Sequence, residues 1–156
     1  MTNKMTIMAA VDLSDYSPMV IRYSVWLSMK TAAELVLVNV INQRDLDMVQ
    51  RAMAGYEAFS FPNYLTDQTR ERERQMKEMF EKASNGTVAC SYMVQAGIPY
   101  REVLAAVEAV QPKILVVGTK GRSNLADAVV GSTARKLYRR SPIPLLTIPA
   151  GFNELP

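Results

Sequence analysis

The chain has 156 residues, 49% of them apolar, which is enough for one domain with a real core and excludes a disordered chain. A formal net charge of +3 is modest, and the complete absence of histidine excludes Ser-His, Cys-His and His-metal chemistry. A single cysteine, Cys90, excludes an internal disulfide and suits a reducing compartment, so a cytoplasmic protein is expected.

The first apolar run, Met5 to Val11, is too short to cross a bilayer and stops at Asp12. It has neither the long apolar region nor the cleavage site of a signal peptide, and it reads as a strand. Residues 34–40 form a second run of this kind, rich in Val and Leu, as buried parallel strands are. Between them, about residues 16–32, Val20, Ser24, Leu27 and Thr31 recur at helical spacing with Ile21 and Val25 alongside. Ser14 or Ser17 is the expected cap, with Pro18 near the start. Strand, helix and strand make a βαβ unit.

Residues 41–64 break the pattern with Asn42, Gln43, Gly55 and Pro62 and read as a mobile insertion or lid, with a weak helical pattern from Arg44 to Ala54. Thr66 to Ala83 is a helix with Met76, Met79, Phe80 and Ala83 as its buried stripe. Glu73–Lys77 and Glu78–Lys82 are favourable i,i+4 pairs, and the alternating Arg-Glu block reads as a solvated face. Asn85-Gly86 ends this helix. Thr87 to Gln95 follows as a third strand, Pro99 to Val110 as a helix and Lys113 to Val117 as a fourth strand. Ser132 to Arg140 is the last helix. Leu145 to Ile148 is a short last strand between Pro144 and Pro149, and prolines there mark a sheet edge.

Alternating strands and helices with short connections give a single α/β domain over residues 1–156, a doubly wound parallel five-stranded sheet of order 3-2-1-4-5 with helices on both faces. Strands 1 and 4 then lie side by side where the winding reverses, and ligands bind beyond the strand ends at such a point. The acidic turn at Asp12 and the glycines after strand 4 meet there.

Those glycines carry the strongest chemical signal. The run ILVVGTKGRSNLADAVVGSTARKLYRRS, Ile114 to Ser141, takes a strand into Gly118 and Gly121 and then reaches Gly131-Ser132-Thr133 at a helix start. Gly118, Gly121 and Gly131 are expected to take positive φ or to let a ligand approach the backbone. The helix start offers unpaired N–H groups and the positive end of the dipole to an anion, and the hydroxyls of Ser132 and Thr133 add donors. The loop is neither a Walker A motif nor G-x-G-x-x-G. The same spacing also fits a glycine turn followed by an ordinary capped helix. Seven basic residues (Lys113, Lys120, Arg122, Arg135, Lys136, Arg139, Arg140) stand in Gln111 to Ser141 against Asp127 alone. That local positive field suits an anionic ligand, while Arg139 and Arg140 also complement a helix C-terminus.

The G-x2-G-x9-G-[ST] pattern resembles the ATP-binding signature of the universal stress protein family. Ala9 to Ser17 resembles that family's first strand and acidic turn, Leu35 to Val40 its second strand, Gln95 to Pro99 its G-x-P turn, and Ser141 to Leu146 its closing strand. The resemblance covers almost the whole chain, residues after Val40 least. It implies an adenine nucleotide alpha hydrolase-like fold that binds ATP, or ADP or AMP, as a regulatory stress-response protein. Asp12 is then placed by the ribose or by metal-bound water, with a capping role as the alternative. Val40, Ala10 and Val11 would wall the adenine pocket. Val117, Gly118, Gly121, Gly131, Ser132 and Thr133 match the phosphate and ribose segment, and Lys120 and Arg122 would screen phosphate charge. Mg²⁺ would be held chiefly by the phosphates, because it keeps waters and needs few protein ligands. The family also implies a homodimer joined through Leu145–Ile148, which removes an exposed edge.

Two further readings stand beside regulation. One is slow ATP hydrolysis or self-phosphorylation, with Ser132 or Thr133 as acceptor. The other is a scaffold whose basic face binds a protein or nucleic acid. Nucleic acid is disfavoured, because Tyr138 is the lone aromatic among those charges.

Overall fold

A computed structural model of the protein describes residues 3–121 and 130–156. Five parallel strands, β1 (Thr6–Ala10), β2 (Glu34–Asn42), β3 (Cys90–Gly97), β4 (Ile114–Gly118) and β5 (Leu145–Ile148), pair in the order β3-β2-β1-β4-β5. Five helices connect them: α1 (Ser17–Thr31), α2 (Gln43–Ala52), α3 (Phe61–Ala83), α4 (Pro99–Val110) and α5 (Ser132–Arg140). The order is the one expected from the alternation of elements. The sheet is central because its middle strands are apolar on both faces: Ile7, Met8 and Ala9 of β1 are fully buried, as are Leu115 and Val116 of β4.

Alternate residues feed two cores. Ile7, Ala9, Leu35 and Leu37 face α1 and α3, where Val20, Ile21, Val25 and Met76 pack. Met8, Val36, Val38, Leu115 and Val117 face α4 and α5, meeting Val103, Val107, Ala134 and Leu137. The expected stripe of α3 is in place, with Met76 fully buried and Met79, Phe80 and Ala83 packed against the core.

Residues 41–64 differ from expectation. The segment is regular: it completes β2, forms α2 and begins α3 five residues before Thr66. Both helices start on side-chain caps. The Asn42 side chain accepts from Arg44 N at 3.0 Å and Ser60 Oγ from Asn63 N at 3.3 Å, with Pro62 in the first turn of α3. Strand β3 starts at Cys90, not Thr87, and runs on to Gly97, whose φ of 152° releases the chain into α4. Ion pairs on α3 include Arg74 with Glu71 and Glu78, and Arg70 with Asp67. Among the described residues no helix is long and apolar enough to cross a membrane.

Candidate functional site

The register Met8 opposite Leu115 and Ala10 opposite Val117 brings the ends of β1 and β4 together at the reversal of winding. A cavity of about 400 Å³ opens beyond these ends, within the usual range for small-molecule sites. All but one of the site residues expected from the sequence line it: Ala10, Val11 and Asp12 after β1, Val40 from β2, Val117, Gly118 and Gly121 after β4, and Gly131, Ser132 and Thr133 at the start of α5. The exception, Arg122, lies outside the described residues, as do Ser123 to Ala128 and Val129 of the connection to α5.

One wall is apolar. Val38 and Val40 point to the α4 side of β2, and Val103 and Pro99 face them from α4. The lining also carries polar groups: Asp12, Ser17, Lys120, Ser132 and Thr133. Tyr16, Ser17, Val38, Asn42, Arg44, Asp45 and Thr119 also line the cavity, although the sequence does not mark them for the site. Val38 could have been found, since it precedes Val40 by one strand period. Asn42, Arg44 and Asp45 belong to the segment that reads as a lid, so their approach becomes visible only with α2.

Asp12 is held by its own turn. Its Oδ1 accepts from Ser14 N at 3.0 Å and from Ser17 Oγ at 3.2 Å. This corrects the expected cap of α1: Tyr16 is the N-cap residue and makes no side-chain cap bond, while Ser17 donates to Asp12 and Ser14 Oγ accepts from Tyr16 N. The other carboxylate oxygen, Oδ2, lies against Gly121, where an added Cβ would come within 1.9 Å of it. Gly121 is therefore the space into which the acidic turn fits.

Of the two uses open to the loop glycines, positive φ is not taken at Gly118, Gly121 or Gly131. Among the described residues, positive φ at glycine is confined to Gly55, Gly86 and Gly97. Gly118 and Gly121 serve by lacking a side chain: a Cβ at Gly118 would meet the Lys120 carbonyl oxygen at 3.2 Å and Val20 Cγ2 at 3.3 Å. Gly131 has φ −66° and ψ 162°, extended backbone open to any residue, and a Cβ there would find only Thr119 O, at 3.5 Å.

Gly131 also commits its own N–H, which donates to the Thr119 carbonyl at 2.6 Å. That bond fixes the start of α5 beside the end of β4, and Thr119 N in turn donates to Ile148 O at 3.0 Å. As N-cap of α5, Gly131 supplies no side-chain cap. Ser132 and Thr133 of the first turn line the cavity, where a helix start offers N–H groups without helical partners and the positive end of the dipole. Lys120 adds a cation to the lining. The site can thus hold an anion at one end and a flat apolar group at the other. The carboxylates on its rim are Asp12 and Asp45, and among the described residues no three His, Cys, Asp or Glu side chains gather as a metal nest.

Behind the acidic turn, on the α1–α3 face, is a polar chain that the sequence does not disclose. Asn39, 1% exposed, donates through Nδ2 to the Val11 carbonyl at 2.8 Å, and Arg72 Nη1 of α3 donates to Asn39 Oδ1 at 3.1 Å. A buried amide between valines in β2 would be costly unless paired, and here it fastens the residue before Asp12.

Cys90 plays no part in the cavity. Burial pushes its thiol up to about 11, so it is neither a nucleophile nor a ready metal ligand at neutral pH.

The universal stress protein family, as a family model, matches residues 4–149. Universal stress protein YxiE of Bacillus subtilis is 26% identical over 153 residues, spanning 95% of this chain and 99% of its own. Universal stress protein MJ0577 of Methanocaldococcus jannaschii is 22% identical over 150 residues, spanning 91% of this chain and 93% of its own. The solved structure of MJ0577 superposes with a TM-score of 0.76 at 19% identity, covering 92% of this chain and 94% of that one. A universal stress protein in complex with cAMP superposes with a TM-score of 0.65 at 18% identity, covering 94% of this chain and 98% of that one. Matched by the family model over nearly its whole length and carrying the fold of these solved relatives, the chain belongs to the universal stress protein family.

Proposed function

We propose that this protein binds ATP in the cavity between the ends of β1 and β4 and acts as a nucleotide-dependent regulator in the stress response. The observation that carries the reading is the meeting of three features in one cavity: the uncapped start of α5, the Asp12 turn seated on Gly121, and the apolar wall of Val38, Val40 and Val103. Phosphates go to the Ser132–Thr133 N–H groups and hydroxyls, the ribose beside Asp12 and the adenine against the apolar wall. Ala10, Val11 and Val117 complete the floor, and Gly118 and Gly131 keep the phosphate path clear. ADP and AMP fit the same features. A relative solved with cAMP supports an adenine nucleotide as the ligand class. Mg²⁺ travels with the phosphates, with Asp12 positioned to bond one of its waters.

In the same reading the protein is a cytoplasmic homodimer. The outer edge of β5 pairs with no strand among the described residues of this chain, and Leu145–Ile148 offers it to a second copy. Sedimentation of the wild type against a Thr147→Pro variant tests this, and a monomeric wild type rejects it.

Calorimetry of ATP with Mg²⁺ tests the site, using the wild type and a Gly131→Val, Ser132→Ala variant. Valine is compatible with the extended backbone at position 131, so the fold is retained while the phosphate path is blocked. Saturable wild-type binding that the variant loses is expected. Absence of wild-type binding, in protein stripped of carried-over nucleotide, rejects the reading. A time course of product per site on the same samples separates binding from slow hydrolysis.

A further inference from the structure

Tyr100 stands at the start of α4 with 9% of its surface exposed, and three cations surround its ring. Lys136 Nζ is 4.9 Å from the ring centroid, and the guanidinium carbons of Arg140 and Arg101 are 5.1 Å and 5.8 Å away. Arg101 Nε also donates to the Tyr100 hydroxyl at 3.0 Å. Lys136 and Arg140 lie one turn apart on α5 and Arg101 lies on α4, so the three straddle the groove between those helices.

All three cationic side chains are exposed. Among the described residues none of them forms an ion pair; the ion pairs belong to α2 and α3. Helix α5 carries no acid. On α4, the carboxylate of Glu102 turns back toward Gly97, and Glu108 lies two turns along the helix. The hydrogen bond from Arg101, with the charges of Arg101, Arg140 and Lys136, holds the Tyr100 phenol below the ordinary tyrosine range despite its burial. The groove is thus a patch of positive potential whose charges are held in place by a shared ring.

We propose that the α4–α5 groove is a docking surface for an acidic segment of a partner protein, read by Arg101, Lys136 and Arg140. The two guanidinium forks match carboxylates bidentately, and their placement on Tyr100 lowers the ordering cost of binding. Nucleic acid fits less well. The cations already occupy the surroundings of the Tyr100 ring, which leaves no platform for a base. Tyr138, 77% exposed, lies two residues from Lys136 and from Arg140 and so projects from a different side of α5. A helix of nine residues spans about 13 Å, room for roughly four phosphates of one strand. None of the three cations lines the cavity, so the proposal stands whether or not the cavity takes a nucleotide.

Fluorescence anisotropy of a labelled Glu/Asp-rich peptide tests it on the full chain. The wild type is compared with an Arg101→Gln, Lys136→Gln, Arg140→Gln variant and with an Arg22→Gln, Lys30→Gln, Lys77→Gln variant that removes the same charge elsewhere. The groove variant is expected to lose about tenfold or more in peptide affinity and the control about twofold or less. Added salt weakens the wild-type complex. An Arg101→Lys, Arg140→Lys variant keeps the charge but loses the forks; it covers the case in which the first variant does not fold, and is expected to bind more weakly than wild type. Absence of wild-type binding, equal losses in groove and control variants, undiminished binding by the lysine variant, or tighter binding of a single-stranded oligonucleotide of equal charge each overturns the proposal.

Discussion

On the α1–α3 face, charges are balanced within one helix: Arg74 with Glu71 and Glu78, and Arg70 with Asp67. On the α4–α5 face, Arg101, Lys136 and Arg140 crowd one tyrosine with no carboxylate partner among the described residues. The contrast extends inward. The first face closes over a packed core crossed by a buried polar chain, Arg72–Asn39–Val11. The second lends Val103, Ala134 and Leu137 to the cavity. Exposed pairs of the α3 kind contribute little to stability, so they keep the helix soluble. Unbalanced charge beside a cavity is what the proposed nucleotide at the mouth and the proposed acidic partner along the groove would each require.

The largest effect is expected where the acidic turn meets the cavity. Gly121→Ala places a Cβ within 1.9 Å of Asp12 Oδ2 and must displace that carboxylate. Loss of a charged hydrogen bond there should weaken ATP binding by about a hundredfold in calorimetry. Gly131→Ala, whose Cβ would meet Thr119 O at 3.5 Å, should lose about tenfold or less. The reverse order would show that Asp12 is not a contact.

Asn39→Leu tests the closed face. It removes the donor to the buried Val11 carbonyl and should destabilise the fold by about 2 kcal/mol in urea titration. A loss below about 0.5 kcal/mol would reduce the chain from Arg72 to Val11 to an incidental contact.

The smallest effect is on the solvated charges of α3. Hydrogen bonds from Arg74 and then Gln75 lower the Glu71 carboxyl from 4.5 to about 2. Because the folded value lies below the unfolded one, the contribution to stability is present above pH 4.5 and fades as pH falls toward 2. An NMR titration should find the midpoint near 2, returning toward 4.5 in Arg74→Gln and in high salt. A wild-type midpoint already near 4.5 would mean that the pair does not persist in water.

The sheet order is legible because β1, β2 and β4 are short apolar runs and helical spacing stands between the strands. The cavity's place follows from that order alone. Helix α2 and the first turn of α3 are harder to read, although Asn42 and Ser60-x-x-Asn63 are present as caps. Gly55, Pro62 and a mixed surface outweigh them. The bond from Arg72 to Asn39 joins residues thirty-three positions apart, and no local pattern marks a paired amide inside a run of valines. The cluster of basic residues is plain in the sequence, but its aromatic centre is supplied by α4, so along the chain Tyr138 stands as the lone aromatic. The glycines of the loop are visible as glycines, while the reason for them is not: Gly118 and Gly121 are short of room, not of backbone freedom.

The pairing of Met8 with Leu115 has a consequence for how the molecule comes into being. During synthesis β1 and β2 leave the ribosome long before β4, and β1 waits with one side unpaired while most of the chain is made. The cavity has no second wall until β4 docks and α5 follows. The cavity is therefore complete only in a chain that includes β4 and α5; one that stops short of β4 lacks Val117, Gly118, Gly121, Gly131, Ser132 and Thr133 from the lining.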